Sequence, residues 1–157
     1  MKIAIGSDKS GFYLKEFILA RLSEKGIEIT DLGTADVEQP HPFFEVASIV
    51  GKAVSNGEYE RAILICGTGM GMSQVANKFR GVLAACCETT YSARMCRAIN
   101  NSNILCMGGW VIGPELGLEM AEVFLSTEHT QGLEEWRQAF LKNAYQQVVE
   151  IDRTQTK

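Results

Sequence analysis

Five short runs rich in β-branched and apolar residues recur along this chain, KIAI (2–5), IEIT (27–30), AILIC (62–66), VLAAC (82–86) and NILCM (103–107), and segments of helical period separate them. This alternation constrains the fold most. Parallel strands need a crossover each, and the usual crossover is a helix that covers one face of the sheet. Over 11–25, Leu14, Phe17, Ile18 and Leu22 lie on one helical face, and Gly26 suits the end of that helix. Further helices are expected at 43–56, 70–79, 90–99 and 114–126, with Pro114 in a first turn. The expected architecture is α/β, a three-layer sandwich around a five-stranded parallel sheet. At 157 residues the chain is expected to form one domain, 1–157, and to bury roughly 70% of its extended surface without metal or disulfide staples.

The last segment breaks the alternation. Leu133, Trp136, Phe140, Ala144 and Val148 form an apolar stripe between Leu133 and Ile151, but no sixth strand follows to receive it. Such a helix covers either its own sheet or a second subunit.

Composition removes several functional classes. Fifteen Lys and Arg against nineteen Asp and Glu leave a net charge of −4 without a block of like charge, which argues against nonspecific nucleic-acid binding. No apolar run approaches the roughly 18 residues of a membrane span. MKIAIGSDKSG lacks the apolar region of a signal peptide, so a cytoplasmic location is expected. Cys66, Cys86, Cys87, Cys96 and Cys106 are odd in number and lack metal-ligand spacing, and only two histidines accompany them. Reduced thiols and no metal or cofactor are expected. Apart from Cys66 the cysteines read as packing.

In an open parallel sheet, ligands collect beyond the carboxyl ends of the strands. Two segments fall there. Gly6-Ser7-Asp8-Lys9-Ser10-Gly11 places an acid, a cation and a hydroxyl after the first strand, and Cys66-Gly67-Thr68-Gly69-Met70-Gly71-Met72-Ser73 follows the third. Alternating Gly67, Gly69 and Gly71 let backbone approach a bound oxygen, and the helix starting near Met70 adds unpaired N–H donors, an anion or oxyanion cradle. The loop is neither a Walker loop nor a dinucleotide-binding turn. Cys66 is a candidate base or nucleophile at the helix start, or else an inert buried thiol.

The segments KIAIGSDKSGFYLKE, DLGT, ILICGTGMGMSQVANK, YSARM, NNSNILCMGG and VIGPEL together resemble the sugar-phosphate isomerase family of ribose-5-phosphate isomerase type B and the galactose-6-phosphate isomerase subunits, over roughly residues 1–132. The resemblance implies a Rossmann-like sheet, a metal-free aldose–ketose isomerase and an active site shared across a dimer. It implies proton transfer between C1 and C2 through a cis-enediolate, with Cys66 as base and the Gly67 to Gly71 backbone, Met70 included, holding the oxyanion. Asp8 matches a contact to a substrate hydroxyl, Thr68 a residue near the ring oxygen, and Asn100 a substrate amide. Lys9 and Ser10 belong to the same substrate-binding set. A structural Asp8 that caps the first helix is the alternative.

Departures from the family fall at substrate contacts. Lys9 stands where the ribose enzymes have histidine, and Ile99 where they have the ring-opening histidine. Trp110 and Leu133 replace two phosphate arginines, and only Arg137 matches the third. Trp110 is read either as a platform for a sugar face or as filler in a core or interface. His41, between Pro40 and Pro42, is a candidate acid–base at the cleft edge, and His129 reads as surface. A good substrate would then stay in the open chain, as a tetrose 4-phosphate does because its O4 is esterified, or would carry no phosphate. A nonphosphorylated sugar or sugar acid, with Lys9 or Arg137 on its carboxylate, is the second reading. A noncatalytic sugar-binding partner subunit is the third. The expected assembly is a homodimer, possibly a tetramer, with 132–151 as the dimerisation helix.

Overall fold

The computed structural model describes residues 1–155. In chain order the elements are β1 (Ile3–Ser7), α1 (Phe12–Glu24), β2 (Ile29–Asp31), α2 (Phe43–Ser55), β3 (Arg61–Cys66), α3 (Met70–Ala76), β4 (Ala84–Cys86), α4 (Thr90–Ala98), β5 (Ile104–Gly108), α5 (Pro114–Ser126) and α6 (Glu135–Thr154). The five strands form one parallel sheet in the order β2-β1-β3-β5-β4. The α/β sandwich expected from the alternation is therefore present.

Side chains alternate across the sheet. Ile3, Ile5, Ile63, Ile65, Leu105 and Met107 face a core built with α1, α4 and α5. Ala4, Ala62, Leu64, Ile104 and Cys106 face a second core under α2 and α3. Both faces are thus buried, which is why the strands read as nearly continuous apolar runs.

Local chemistry sets the ends of the elements. Gly26 adopts φ 75 and closes α1, its N–H donating to the Ser23 carbonyl. Thr89 and Ser92 form a reciprocal capping box at the start of α4. The third helix stops at Ala76, short of the expected 79, because Lys78 and Phe79 turn back to the carbonyls of Val75 and Ala76. Asn77 then bonds the backbone of Ala84 in both directions, joining this turn to β4.

The tail is one helix, α6, running three residues beyond the expected 151. Leu141 is its one buried residue, while Trp136, Phe140 and Val148 of the apolar stripe stay exposed. Within one chain, α6 does not serve to cover the sheet.

Candidate active site

The chain runs from β1 to β2 on one side and then returns to place β3 on the other. The connections after β1 and β3 therefore part at their carboxyl ends, the place where open α/β sheets bind ligands. The two segments rich in polar residues and glycine lie at this opening. They touch each other: the Asp8 N–H donates to the Ile65 carbonyl at 3.3 Å. A Cβ on Gly11 would meet that same carbonyl oxygen at 2.4 Å, so only glycine lets the first loop lie on the end of β3.

Cys66 sits at the floor, 6% exposed. Its carbonyl accepts the Gly109 N–H at 2.7 Å, and its Sγ accepts the Gly69 N–H at 3.2 Å. Gly69 reaches this position with φ 78, and a Cβ there would lie 2.8 Å from the Met107 carbonyl carbon. The turn thus depends on glycine for both conformation and space. Ser73 donates to Gly69 in the first turn of α3, and the Met70 and Gly71 N–H groups precede that bond at the open end of the helix.

Asp8, Ser10, Cys66, Gly67, Thr68 and Gly71 share a cleft of about 210 Å³ with Phe43 and Trp110. Asp8 Oδ1 accepts the Gly11 N–H at 3.0 Å, so the carboxylate braces its own loop while facing the cleft. Burial pushes its carboxyl above the ordinary 3.8, and the backbone N–H groups of Gly11 and Ser10 oppose that shift. The carboxylate does not cap α1, whose N-cap is Gly11 without a side-chain cap; it ties its own loop and lines the cleft. A second hollow, sharing Asp8 and Phe43 with the first, is lined by Lys9 and His41. His41 is exposed, its Nδ1 lies 3.7 Å from Glu45 Oε2, and its backbone N–H donates to the Thr34 hydroxyl at 3.1 Å.

Asn100 and Arg137 are elsewhere. The Ala62 N–H donates to the Asn103 carbonyl and the Asn103 N–H to Leu83, which fixes the segment before β5 at the edge where β3 and β4 begin. From that edge β3 spans roughly 16 Å to Cys66 at about 3.3 Å per residue. The loop leading into α6 hangs on the same edge, since the Thr130 N–H donates to the Ala98 carbonyl at 2.8 Å.

Trp110, a sugar platform or filler on the sequence reading, fills no core within one chain: it is 75% exposed and forms one wall of the cleft. Two residues differ from their sequence readings. Cys86, read as packing, is exposed because it ends an edge strand. Burial and the neighbouring Cys87, Glu88 and Cys66 push its thiol pKa up, and the protonated sulfur lies 3.6 Å from the Thr68 carbonyl as a weak donor. His129 is half-buried rather than on the surface, with Nε2 lacking a hydrogen-bond partner among the described residues. Burial lowers its pKa, a backbone hydrogen bond with Ile99 opposes that shift, and Arg97 and Lys142 add to it. The sequence reading missed Phe43 altogether, although its place directly after Pro42 at the start of α2 puts it at the ligand edge.

Among the described residues, no group of three or more His, Cys, Asp or Glu side chains converges on a common metal position, and no helix is long and apolar enough to cross a membrane.

The profile of the Ribose/Galactose Isomerase family matches residues 3–141. The 4-deoxy-4-sulfo-D-erythrose isomerase of Clostridium sp. (strain MSTE9) is 64% identical over 154 residues, which cover 98% of this chain and 97% of that protein. The D-erythrulose-4-phosphate isomerase of Pectobacterium atrosepticum is 39% identical over 84% of this chain and 87% of its own length. Among solved structures, ribose-5-phosphate isomerase B of Clostridium thermocellum superposes with a TM-score of 0.85 at 39% identity, covering 98% of each chain. A thiol beneath a glycine turn at the β1–β3 opening thus occurs in a chain whose whole length matches sugar isomerases, and the chain belongs to the ribose/galactose isomerase family, as an aldose–ketose isomerase.

Proposed function

We propose that the substrate pair is a four-carbon aldose and ketose carrying a sulfonate on C4, interconverted by moving a proton between C2 and C1. The observation that carries this reading is the 64% identity, over nearly all of both chains, to an isomerase of 4-deoxy-4-sulfo-D-erythrose. The chemistry of that sugar fits the departures found in the sequence. With sulfur on C4 there is no O4 to close a furanose, so no ring-opening histidine is needed and Ile99 is tolerated. A sulfonate carries one negative charge, whereas a phosphate monoester carries about −1.5 to −2 at pH 7, so fewer cations are required. Trp110 and Leu133 then cost the enzyme little.

In the aldose-to-ketose direction the Cys66 thiolate takes the C2 proton. The electron pair moves into the C1–C2 bond, and the developing charge on O1 is held by backbone N–H groups of the Gly67–Gly71 turn. Delivery of a proton to C1 and transfer of the O2 proton to O1 give the ketose. Asp8 and Thr68 meet substrate hydroxyls in this reading, with Ser10 beside them, and Lys9 and His41 border the sulfonate end. Asn100 and Arg137 reach the site from a second copy of the chain, because their own Cys66 lies across the sheet. The exposed stripe on α6 supports such a homodimer. Five free thiols favour a reducing, cytoplasmic setting.

The test is turnover of 4-deoxy-4-sulfo-D-erythrose in deuterated water, followed by NMR for deuterium at C1 of the ketose. The expected catalytic efficiency exceeds that on erythrose 4-phosphate and on ribose 5-phosphate. A preference for erythrose 4-phosphate would replace the sulfonate reading with that of a tetrose phosphate isomerase.

A further inference from the structure

We propose that Trp110, with Phe43 at the other end of the glycine turn, sets the length of sugar that the cleft accepts. This rests on the assignment of the cleft as the isomerase site, and not on which anion the sugar carries.

The indole is exposed yet held at two points. Its backbone N–H donates to the Gly67 carbonyl at 3.0 Å, and its ring lies on Gly67 so closely that a Cβ there would come within 2.8 Å of Cε3 and Cζ3. The turn that carries it is itself bonded down, since Gly109 donates to the Cys66 carbonyl and Val111 and Ile112 both donate to Gly108. Backbone hydrogen bonds place this ring, because little of it is buried. At the far end of the loop Phe43 packs on Gly71, where a Cβ would meet its Cε2 at 2.8 Å. The Phe43 ring is braced in turn by an edge contact with Phe44, centroids 5.5 Å apart.

The reacting thiol therefore lies between two fixed aromatic walls, in a space of about 210 Å³. A second hollow, lined by Lys9 and His41, adjoins this space at Asp8 and Phe43, so each further hydroxymethylene unit has to pass the Phe43 ring or displace the indole. Rigid apolar walls discriminate by roughly 10- to 200-fold per carbon unit.

Erythrose 4-phosphate and ribose 5-phosphate carry the same phosphate and differ in length, so their ratio of kcat/KM reads the walls alone. In Trp110→Ala that ratio is expected to shift toward the five-carbon sugar by about tenfold or more. Trp110→Phe, which keeps an aromatic wall, should shift the ratio less than Trp110→Ala does, and Phe43→Leu should move it in the direction of Trp110→Ala. Circular dichroism and the melting temperature establish that each variant is folded. Equal losses on both sugars in Trp110→Ala, or an unchanged ratio, would overturn the proposal. A wild type that prefers erythrose 4-phosphate to the sulfonated tetrose removes the sulfonate reading and leaves this test intact. A wild type inactive on all three sugars overturns both.

Discussion

At the scale of single residues, the site depends on where one sulfur and one carboxylate are held. The Cys66 thiol is fixed from two sides, by its own strand and by the Gly69 N–H, so replacing it should change chemistry and leave the fold. Cys66→Ala is expected to lose on the order of 100-fold or more in kcat while circular dichroism still shows the native fold, since a methyl group cannot take a proton. Activity within a few-fold of wild type would remove Cys66 from the mechanism. Asp8 gives a prediction in pH. Its folded carboxyl titrates above 3.8 because of burial, so folding favours the protonated form. The contribution to stability is present below 3.8 and is lost as pH rises through the raised value. Asp8→Asn keeps an acceptor for the Gly11 N–H and removes the buried charge. Its unfolding midpoint in urea should equal or exceed wild type at pH 7, the advantage should fade on acidification, and kcat/KM should fall.

At the scale of elements, the start of α4 is held by a local side-chain cap. Thr89 accepts the Ser92 N–H at 3.1 Å while the Ser92 hydroxyl accepts the Thr89 N–H at 3.2 Å. Thr89→Ala should lower stability by about 1 kcal/mol, read by chemical denaturation, with catalytic constants unchanged because α4 begins outside the cleft. A loss much larger than that would mean that the cap also holds β4 in register. The glycine turn is a different kind of element. Its second residue is Thr68, which is exposed, but Gly69 is tied to φ 78 and to the close approach of Met107. A motif of alternating glycines announced the turn in the sequence. Which glycine carries the positive φ became visible only when β5 was placed beside it.

For the whole molecule, the distance from Cys66 to the end of the sheet that holds Asn100 and the loop into α6 is what motivates the proposed dimer. Trp136 and Phe140 are 72% and 63% exposed, so Trp136→Glu with Phe140→Glu removes little from the fold of one chain. The double variant is expected to sediment as a monomer and to lose activity. Mixing Cys66→Ala with Arg137→Ala chains should restore activity that neither has alone, because a mixed dimer holds one intact site. Sedimentation as a dimer after both substitutions, or mixtures that stay inactive, would show that each chain works by itself.

Much of this was legible in the order of the residues. Alternating strand and helix periods determined a parallel sheet with two covered faces, because most of the runs are predominantly apolar and each return is long enough for a helix. The same order placed Asp8 and Cys66 at strand ends, and hence at one edge. Tertiary structure decided the rest. The crossover that puts β3 on the other side of β1 brings those two loops into contact, and no local pattern encodes a strand order. Placement of the segment before β5 and of the loop into α6 at the opposite edge separates Asn100 and Arg137 from Cys66, although nothing in the sequence spacing marks that separation. Trp110 became a wall and not core because backbone bonds on Gly67 hold it outside the packed layers. Periodicity reports burial and hydrogen bonding within an element, while the site is made of contacts between elements that lie far apart along the chain.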